Sequence, residues 1–375
     1  MIKVLTVFGT RPEAIKLAPV IRELERRPDT FESRICVTGQ HREMLDQMLD
    51  LFQIRPDYDL DVMRPVQSPT DVTVAVLDRL RHVLEQEGPN WVLVQGDTTT
   101  TMAGGLGAFH HGCRVAHVEA GLRTFDKQNP WPEEMNRRVA GIVADVHFAP
   151  TETSAGNLFR EGIPKDRVYV TGNTVIDSLR AVAAMPFYPS GTPLAAIPFS
   201  GKRIVLATMH RRETPPEAVE EVCAALVDVA RRHEDVEIVF PVHPSPAIHQ
   251  SVHRLLSGVP NITLLPPLEY RPMVWLLERC HFAVTDSGGL QEEMASIGKP
   301  VLVVRQTTER PEGIAAGTAR LVGTDRHELT QWATRLLTDG DAYRRMSGPV
   351  GDYGDGTAAR RIVDILYERS QSAAT

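Results

Sequence analysis

Only four cysteines, Cys36, Cys113, Cys223 and Cys280, occur in 375 residues, and no two of them form a CxxC pair. That spacing excludes a disulfide framework and a zinc knuckle, and apolar contexts such as SRICVTG and RCHFAVTD predict small core residues. The thirteen histidines include no HExxH and no paired ligand spacing, so no metal site is expected. There is no excess of positive charge. With a net charge of -7 and a pI near 6.0, the field of the whole protein attracts neither nucleic acid nor an anionic membrane. An anionic ligand would need a local basic pocket. No apolar run reaches the roughly 20 residues that span a bilayer. The opening MIKVLTVFGTRPEA enters a strand without a basic region or a small-residue cleavage site, so a cytoplasmic protein with no membrane partner is expected. Repeats of solenoid period and low-complexity tracts are also missing, which sets aside solenoids and disordered scaffolds.

What is present is strand and helix in alternation, the pattern of a parallel sheet covered on both faces. IKVLTVF, SRICVTG, WVLVQGD and RVAHVE read as strands that end in polar or glycine-rich loops. Pro12 suits the first turn of an amphipathic helix from Glu13 to about Arg27. After VYVTGNTVID and the proline-rich MPFYPSGTPLAAIPFSGK the cycle restarts with RIVLATM, EIVFPVH, ITLLP, FAVTDSGG and PVLVV. The chain exceeds the size at which single cores stop growing, so two domains are expected: 1–172, and 173–356 followed by an amphipathic helix at about 357–375 that packs back on the first. Strand carboxyl ends are where open α/β sheets bind ligands, and the chemistry-bearing residues gather there.

In TDSGGLQEEMASIGKP a strand ends at Thr285, Ser287, Gly288 and Gly289 form a tight turn, and a helix starts at Leu290. Glycines admit a ligand to the backbone, and the helix N-terminus favours an anion such as a diphosphate, with Glu293 one turn on as an acceptor for ribose hydroxyls. The same spacing also fits a plain strand-to-helix turn. GTRPEAIK supplies Arg11 and Lys16 at the first strand end, where they meet phosphate oxygens or stay solvated. Arg310 in TTERPEG has the same two readings. Asp97 in VLVQGDTTTT is a helix N-cap or an acid–base group. His210 in ATMHRRET and His243 in FPVHPSP end successive strands, which points His210 toward function. DYDLD contains the DxD pattern of metal-dependent glycosyltransferases, but no strand is expected there and its acids are read as a solvated connection. One segment stands apart. HVEAGLRTFDKQNPWPEEMNRR sets Glu119, Arg123, Glu133 and Glu134 around glycine, proline and tryptophan without a clean helical stripe.

Taken in order along the chain, VFGTRPEAIK, QHREMLDQ, QGDTTTT, HVEAGLRT, PWPEEMNRR, TETS, VTGNTVIDSL, HRRET, TDSGGLQEE, GKPVLVVRQTTERPE, GTARLVGTD and YGDG closely resemble the non-hydrolysing bacterial UDP-N-acetylglucosamine 2-epimerases. The resemblance implies a GT-B fold: two Rossmann-like doubly wound domains with the active site in the cleft between them, usually in a homodimer and without a cofactor. It implies reversible conversion of UDP-N-acetylglucosamine to UDP-N-acetylmannosamine, by elimination of UDP to 2-acetamidoglucal and re-addition, supplying N-acetylmannosamine units for cell-surface polysaccharide. By the same resemblance Asp97, Glu119 and Glu133 are the catalytic carboxylates and His210 aids the leaving phosphate. Arg11, Lys16, Met273, Ser287, Gly288, Gly289, Glu293 and Arg310 bind substrate. Gln40, His41, Gln67 and His243 resemble a second site at which UDP-N-acetylglucosamine activates several members. The alternative is a GT-B glycosyltransferase that moves the sugar of a UDP-sugar to an acceptor.

Overall fold

A computed structural model of the chain describes residues 1–40, 42–210, 214–348 and 351–372. Two compact units make it up, Met1–Arg180 with Asp352–Thr375, and Ala181–Gly351.

The first unit is built on seven parallel strands: β1 (Ile2–Phe8), β2 (Phe31–Val37), β3 (Tyr58–Asp59), β4 (Trp91–Gln95), β5 (Arg114–Val118), β6 (Val146–Ala149) and β7 (Val168–Val170), in the order β3-β2-β1-β4-β5-β6-β7. Helices on both faces leave the strands no solvated side, which is why β4, WVLVQ, is apolar almost throughout and buried at every position. Leu5, Val7, Val92 and Val94 pack with Val76, Leu80 and Ala103 on one side of the sheet. The helix Ala358–Gln371 lies against Arg11–Glu25, pinned by an Arg27–Asp364 ion pair of 2.6 Å and by Trp91 Nε1 donating to Ser370 Oγ at 2.8 Å.

The second unit repeats the plan with six parallel strands: β8 (Arg203–Thr208), β9 (Val236–Pro241), β10 (Ile262–Leu265), β11 (Phe282–Thr285), β12 (Val301–Val303) and β13 (Ala319–Leu321), ordered β10-β9-β8-β11-β12-β13. In each sheet the strand order reverses once, between β1 and β4 and between β8 and β11. The loops leaving those four strands flank the switch points, where this architecture binds ligands. Gly9 and Asp97 follow β1 and β4, while His210 and Ser287 lie just past β8 and β11. At Gly9 a Cβ would stand 1.9 Å from Thr38 Oγ1, so only glycine lets the end of β1 pack this closely.

Cys36, Cys223 and Cys280 are buried free thiols, each pushed up to about 12 by burial. The DYDLD segment corrects its sequence reading, because Tyr58–Asp59 forms the edge strand β3 rather than part of a connection without a strand. Its acids brace neighbours: Asp57 accepts from the Ile35 amide at 2.8 Å and from Arg34 at 3.1 Å, and Asp59 binds Arg42. Among the described residues no helix is long and apolar enough to cross a membrane.

Candidate active site

The first unit gathers its charges at the carboxyl ends of β1, β4 and β5. Glu13, in the first turn of the helix Arg11–Glu25, is buried and turns its carboxylate back to the Gly9 and Thr10 amides at 3.0 and 2.8 Å and to Thr98 Oγ1 at 2.7 Å. Burial pushes its acidity toward the protonated form against those bonds. One turn on, buried Lys16 reaches Glu119 Oε1 at 2.5 Å. Glu119 follows β5 at φ 61, in left-handed backbone that few residues with a Cβ adopt, and Gln95 Nε2 donates to its other oxygen at 2.5 Å. Arg11 opens the same helix, half-buried.

Asp97 is not a helix cap. Thr98 is the N-cap of the helix Thr99–His110, accepting from the Thr101 amide, because its hydroxyl sits one residue closer to the first turn. Asp97 instead meets the buried Arg137 guanidinium at 2.6 Å. Glu133, in the segment whose sequence shows no clean helical stripe, is the first residue of the helix Glu133–Val143. The residues that hide this helix in the sequence are its own charges, which face inward. Fully buried Glu134 takes the Thr124 and Phe125 amides at 3.1 Å each, and Arg123 forms a two-pronged pair with Glu161 at 2.8 and 2.7 Å. Glu134 and Arg123 thus brace the segment, while Glu133, next to Glu134 in the chain, is half-buried.

In the second unit His210 stands at the end of β8 with its side chain part-exposed. Buried Asp286 accepts from its backbone N–H at 2.9 Å and from Nδ1 at 2.6 Å. A carboxylate on Nδ1 fixes the ring and leaves Nε2 as the nitrogen directed elsewhere. The His243 ring centroid is 6.3 Å away, and His243 Nδ1 accepts from the Ser245 amide. The glycines of TDSGG are not a turn ahead of a helix. Ser287 caps the helix Gly288–Ser296 by accepting from the Leu290 amide, and both glycines are helical. Their use is space: a Cβ at Gly288 would come within 3.0 Å of Arg310 Cζ. Arg310 is buried over that first turn and held by Glu292 at 2.7 Å. Tyr270 donates to Glu293 at 2.7 Å, and burial beside that carboxylate holds the phenol well above its usual range. Met273 lies half-buried in the helix Tyr270–Arg279.

The residues of the expected activator site are less uniform. Gln40 accepts from Thr100 Oγ1 at 3.2 Å, whereas Gln67 stitches its own loop, accepting from the Arg64 amide and donating to Val62. His41, and Arg211 and Arg212 beyond His210, lie outside the described residues. Sequence reasoning missed Glu13, Gln95, Arg137, Asn173, Tyr270 and Asp286. For Glu13 a signal existed in Thr10-Arg11-Pro12-Glu13, the spacing of a capping box; for the others the contacts join distant segments.

Two doubly wound parallel units, with candidate residues at the strand ends of each, define a sugar-nucleotide enzyme of the GT-B type. The UDP-N-acetylglucosamine 2-epimerase family model matches residues 22–367. UDP-N-acetylglucosamine 2-epimerase of Escherichia coli (strain K12) is 52% identical over 369 residues, covering 97% of this chain and 98% of that protein. The Yersinia pestis enzyme is 50% identical over 369 residues, again 97% and 98%. The crystal structure of the Neisseria meningitidis UDP-GlcNAc 2-epimerase bound to UDP-GlcNAc matches with a TM-score of 0.92 at 45% identity, covering 98% of this chain and all of that one. The chain belongs to the UDP-N-acetylglucosamine 2-epimerase family.

Proposed function

We propose that the protein interconverts UDP-N-acetylglucosamine and UDP-N-acetylmannosamine without hydrolysis, the first unit moving the proton at carbon 2 and the second holding UDP. The observation that carries this reading is a run of carboxylates at adjacent strand ends, Asp97 and Glu119 with Glu133, in a chain aligned with epimerases over nearly its full length. A hydrogen beside an acetamido group is weakly acidic, so its removal needs a placed base and simultaneous stabilisation of the leaving group. A carboxylate takes the carbon 2 proton, the electrons of that bond form the carbon 1–carbon 2 double bond, and the carbon 1–oxygen pair leaves with UDP. Protonation on the other face and re-addition of UDP complete the epimerisation. Arg11, Arg310, the Ser287–Gly289 amides and His210, aimed by Asp286, offset the charge that gathers on the diphosphate. Lys16 sets the charge beside Glu119, Glu293 and Met273 address the nucleoside, and Gln40, His41, Gln67 and His243 form the activator site.

We also place the protein in the cytoplasm as a homodimer, feeding N-acetylmannosamine units to cell-surface polysaccharide. Free cysteines suit a reducing compartment, and the exposed Val74, Phe109 and Ile142 on three neighbouring helices of the first unit offer an apolar face for a second copy. Light scattering reads the assembly, and a monomer at micromolar concentration contradicts it. For the activity, the protein is incubated with UDP-N-acetylglucosamine alone and followed by NMR. Appearance of UDP-N-acetylmannosamine is expected. An unchanged substrate that is consumed only when an acceptor is added would instead indicate a glycosyltransferase.

A further inference from the structure

Glu119 is held from three directions. Besides Lys16, two neutral amides donate to it: Gln95 Nε2 to Oε2 at 2.5 Å, from the last residue of β4, and Asn173 Nδ2 to Oε1 at 2.9 Å, from the segment ahead of the helix Thr174–Ala183. We propose that Gln95 and Asn173 are positioning residues that set the direction and charge state of the Glu119 carboxylate for proton transfer; the inference rests on reading Glu119 as an acid–base group.

Both amides are 2% exposed, where a donor left without its acceptor is costly, so the contacts persist rather than exchange with water. Asn173 has little freedom to point elsewhere. Its Oδ1 accepts from the Val175 amide at 3.1 Å and its backbone N–H donates to Tyr353 O at 2.7 Å, so turning the side chain would break the start of a helix. Gln95 is anchored at its backbone, whose carbonyl accepts from Thr101 Oγ1 at 2.5 Å. Lys16 alone would fix a charge but not a plane, because an ammonium bonds from any rotamer. Amides on both oxygens fix the plane. They also favour the carboxylate over the acid without adding a second cation, so a proton taken up can be given back. Left-handed backbone at Glu119, just past β5, goes with a side chain that meets donors from three elements: Gln95 on β4, Asn173 ahead of the helix Thr174–Ala183, and Lys16 on the helix Arg11–Glu25.

The test replaces each donor by its acidic isostere. Asn173→Asp keeps the oxygen that accepts from Val175, and Gln95→Glu keeps shape, so a loss reports the N–H and not the fold. With UDP-N-acetylglucosamine, kcat should fall about 10²-fold, while KM and the Kd for UDP stay within about threefold. The acid limb of the kcat profile should move to higher pH, since a second carboxylate disfavours charge on Glu119. The other charged and titratable groups around it stay in place in these variants: Lys16 from the helix Arg11–Glu25, the buried neutral His117 from β5, and Asp97 after β4 with its partner Arg137. A purely structural role would lower the profile without moving that limb, and this outcome overturns the proposal. Glu119→Gln is assayed beside them. If it stays active, the acid–base reading itself fails; if it is inactive while both amide variants keep the wild-type rate and limb, the positioning role alone fails. Should Asn173→Asp not fold, Gln95→Glu and Gln95→Met decide by the same criteria.

Discussion

The two units place their candidate residues at equivalent strand ends but fill them with opposite chemistry. In the first, three ion pairs line the strand ends, each with at least one buried member: Lys16 with Glu119, Arg137 with Asp97, Arg123 with Glu161. In the second, the strand end offers helical amides over Gly288, a guanidinium held by Glu292, and a histidine aimed by Asp286. Buried charge survives only with partners, so the first arrangement is stiff and suits groups that must meet one hydrogen. Amide donors and a planar guanidinium suit an anion that binds, leaves and returns. On the proposed reading, one architecture is specialised twice, for moving a proton and for holding a diphosphate.

The sharpest break of that contrast is in the first unit. Glu119→Gln or Asp97→Asn should lower kcat by about 10² to 10⁴-fold for a lost acid–base group, while UDP affinity by calorimetry stays near wild type. A parallel loss of UDP binding would erase the division between units. Next comes Asp286→Asn, which leaves His210 without the carboxylate on Nδ1 and should cost about 10²-fold in kcat, with a smaller change in KM. An unchanged rate would remove Asp286 from the site. Arg310→Ala, the mirror experiment, should weaken UDP by about 1.5–3 kcal/mol, as for a lost charged hydrogen bond. Gly288→Ala should act in the same direction by displacing that guanidinium, and an unaltered Kd in both would show that the diphosphate sits elsewhere.

Both doubly wound units were legible in the sequence, because parallel strands buried on two faces read as unbroken apolar runs such as WVLVQ and RIVLAT. The two-residue β3, and the short β6 and β13, carry too little pattern to stand out, and His147 interrupts VHFA. The helix Glu133–Val143 was hidden for a different reason: Glu134, Asn136 and Arg137 face inward, so its buried side is polar and the apolar stripe is missing. Asp97, Glu119 and Glu133 came from motif resemblance. The partners that aim the site groups lie far from them in the chain: Gln95 and Asn173 are 24 and 54 positions from Glu119, Arg137 is 40 from Asp97, and Asp286 is 76 from His210. Contacts of that separation have no periodicity to reveal them.

The smallest effect at neutral pH falls on stability. His117 and His147 stand side by side on β5 and β6, and burial pushes them down to about 4 and about 3. Their folded forms stay neutral where an unfolded histidine, at about 6.5, takes a proton. The stability they contribute is therefore present above about pH 6.5 and is lost as pH falls toward 4, by an amount of order a few kcal/mol. Glu13, pushed the other way by burial, offsets part of this as it protonates. Urea unfolding midpoints should drop between pH 7 and pH 5, and His147→Gln should flatten that slope. Identical slopes would mean that the pair does not set the acid sensitivity.

The central claim is that a carboxylate group of the first unit removes and returns the hydrogen at carbon 2. It is tested most directly by running the reaction in D₂O and reading carbon 2 of the product by NMR and mass spectrometry. Elimination and re-addition predict deuterium at carbon 2 in every UDP-N-acetylmannosamine formed, and free UDP and 2-acetamidoglucal leaking from slowed carboxylate variants. Product that retains protium at carbon 2 would contradict the mechanism outright.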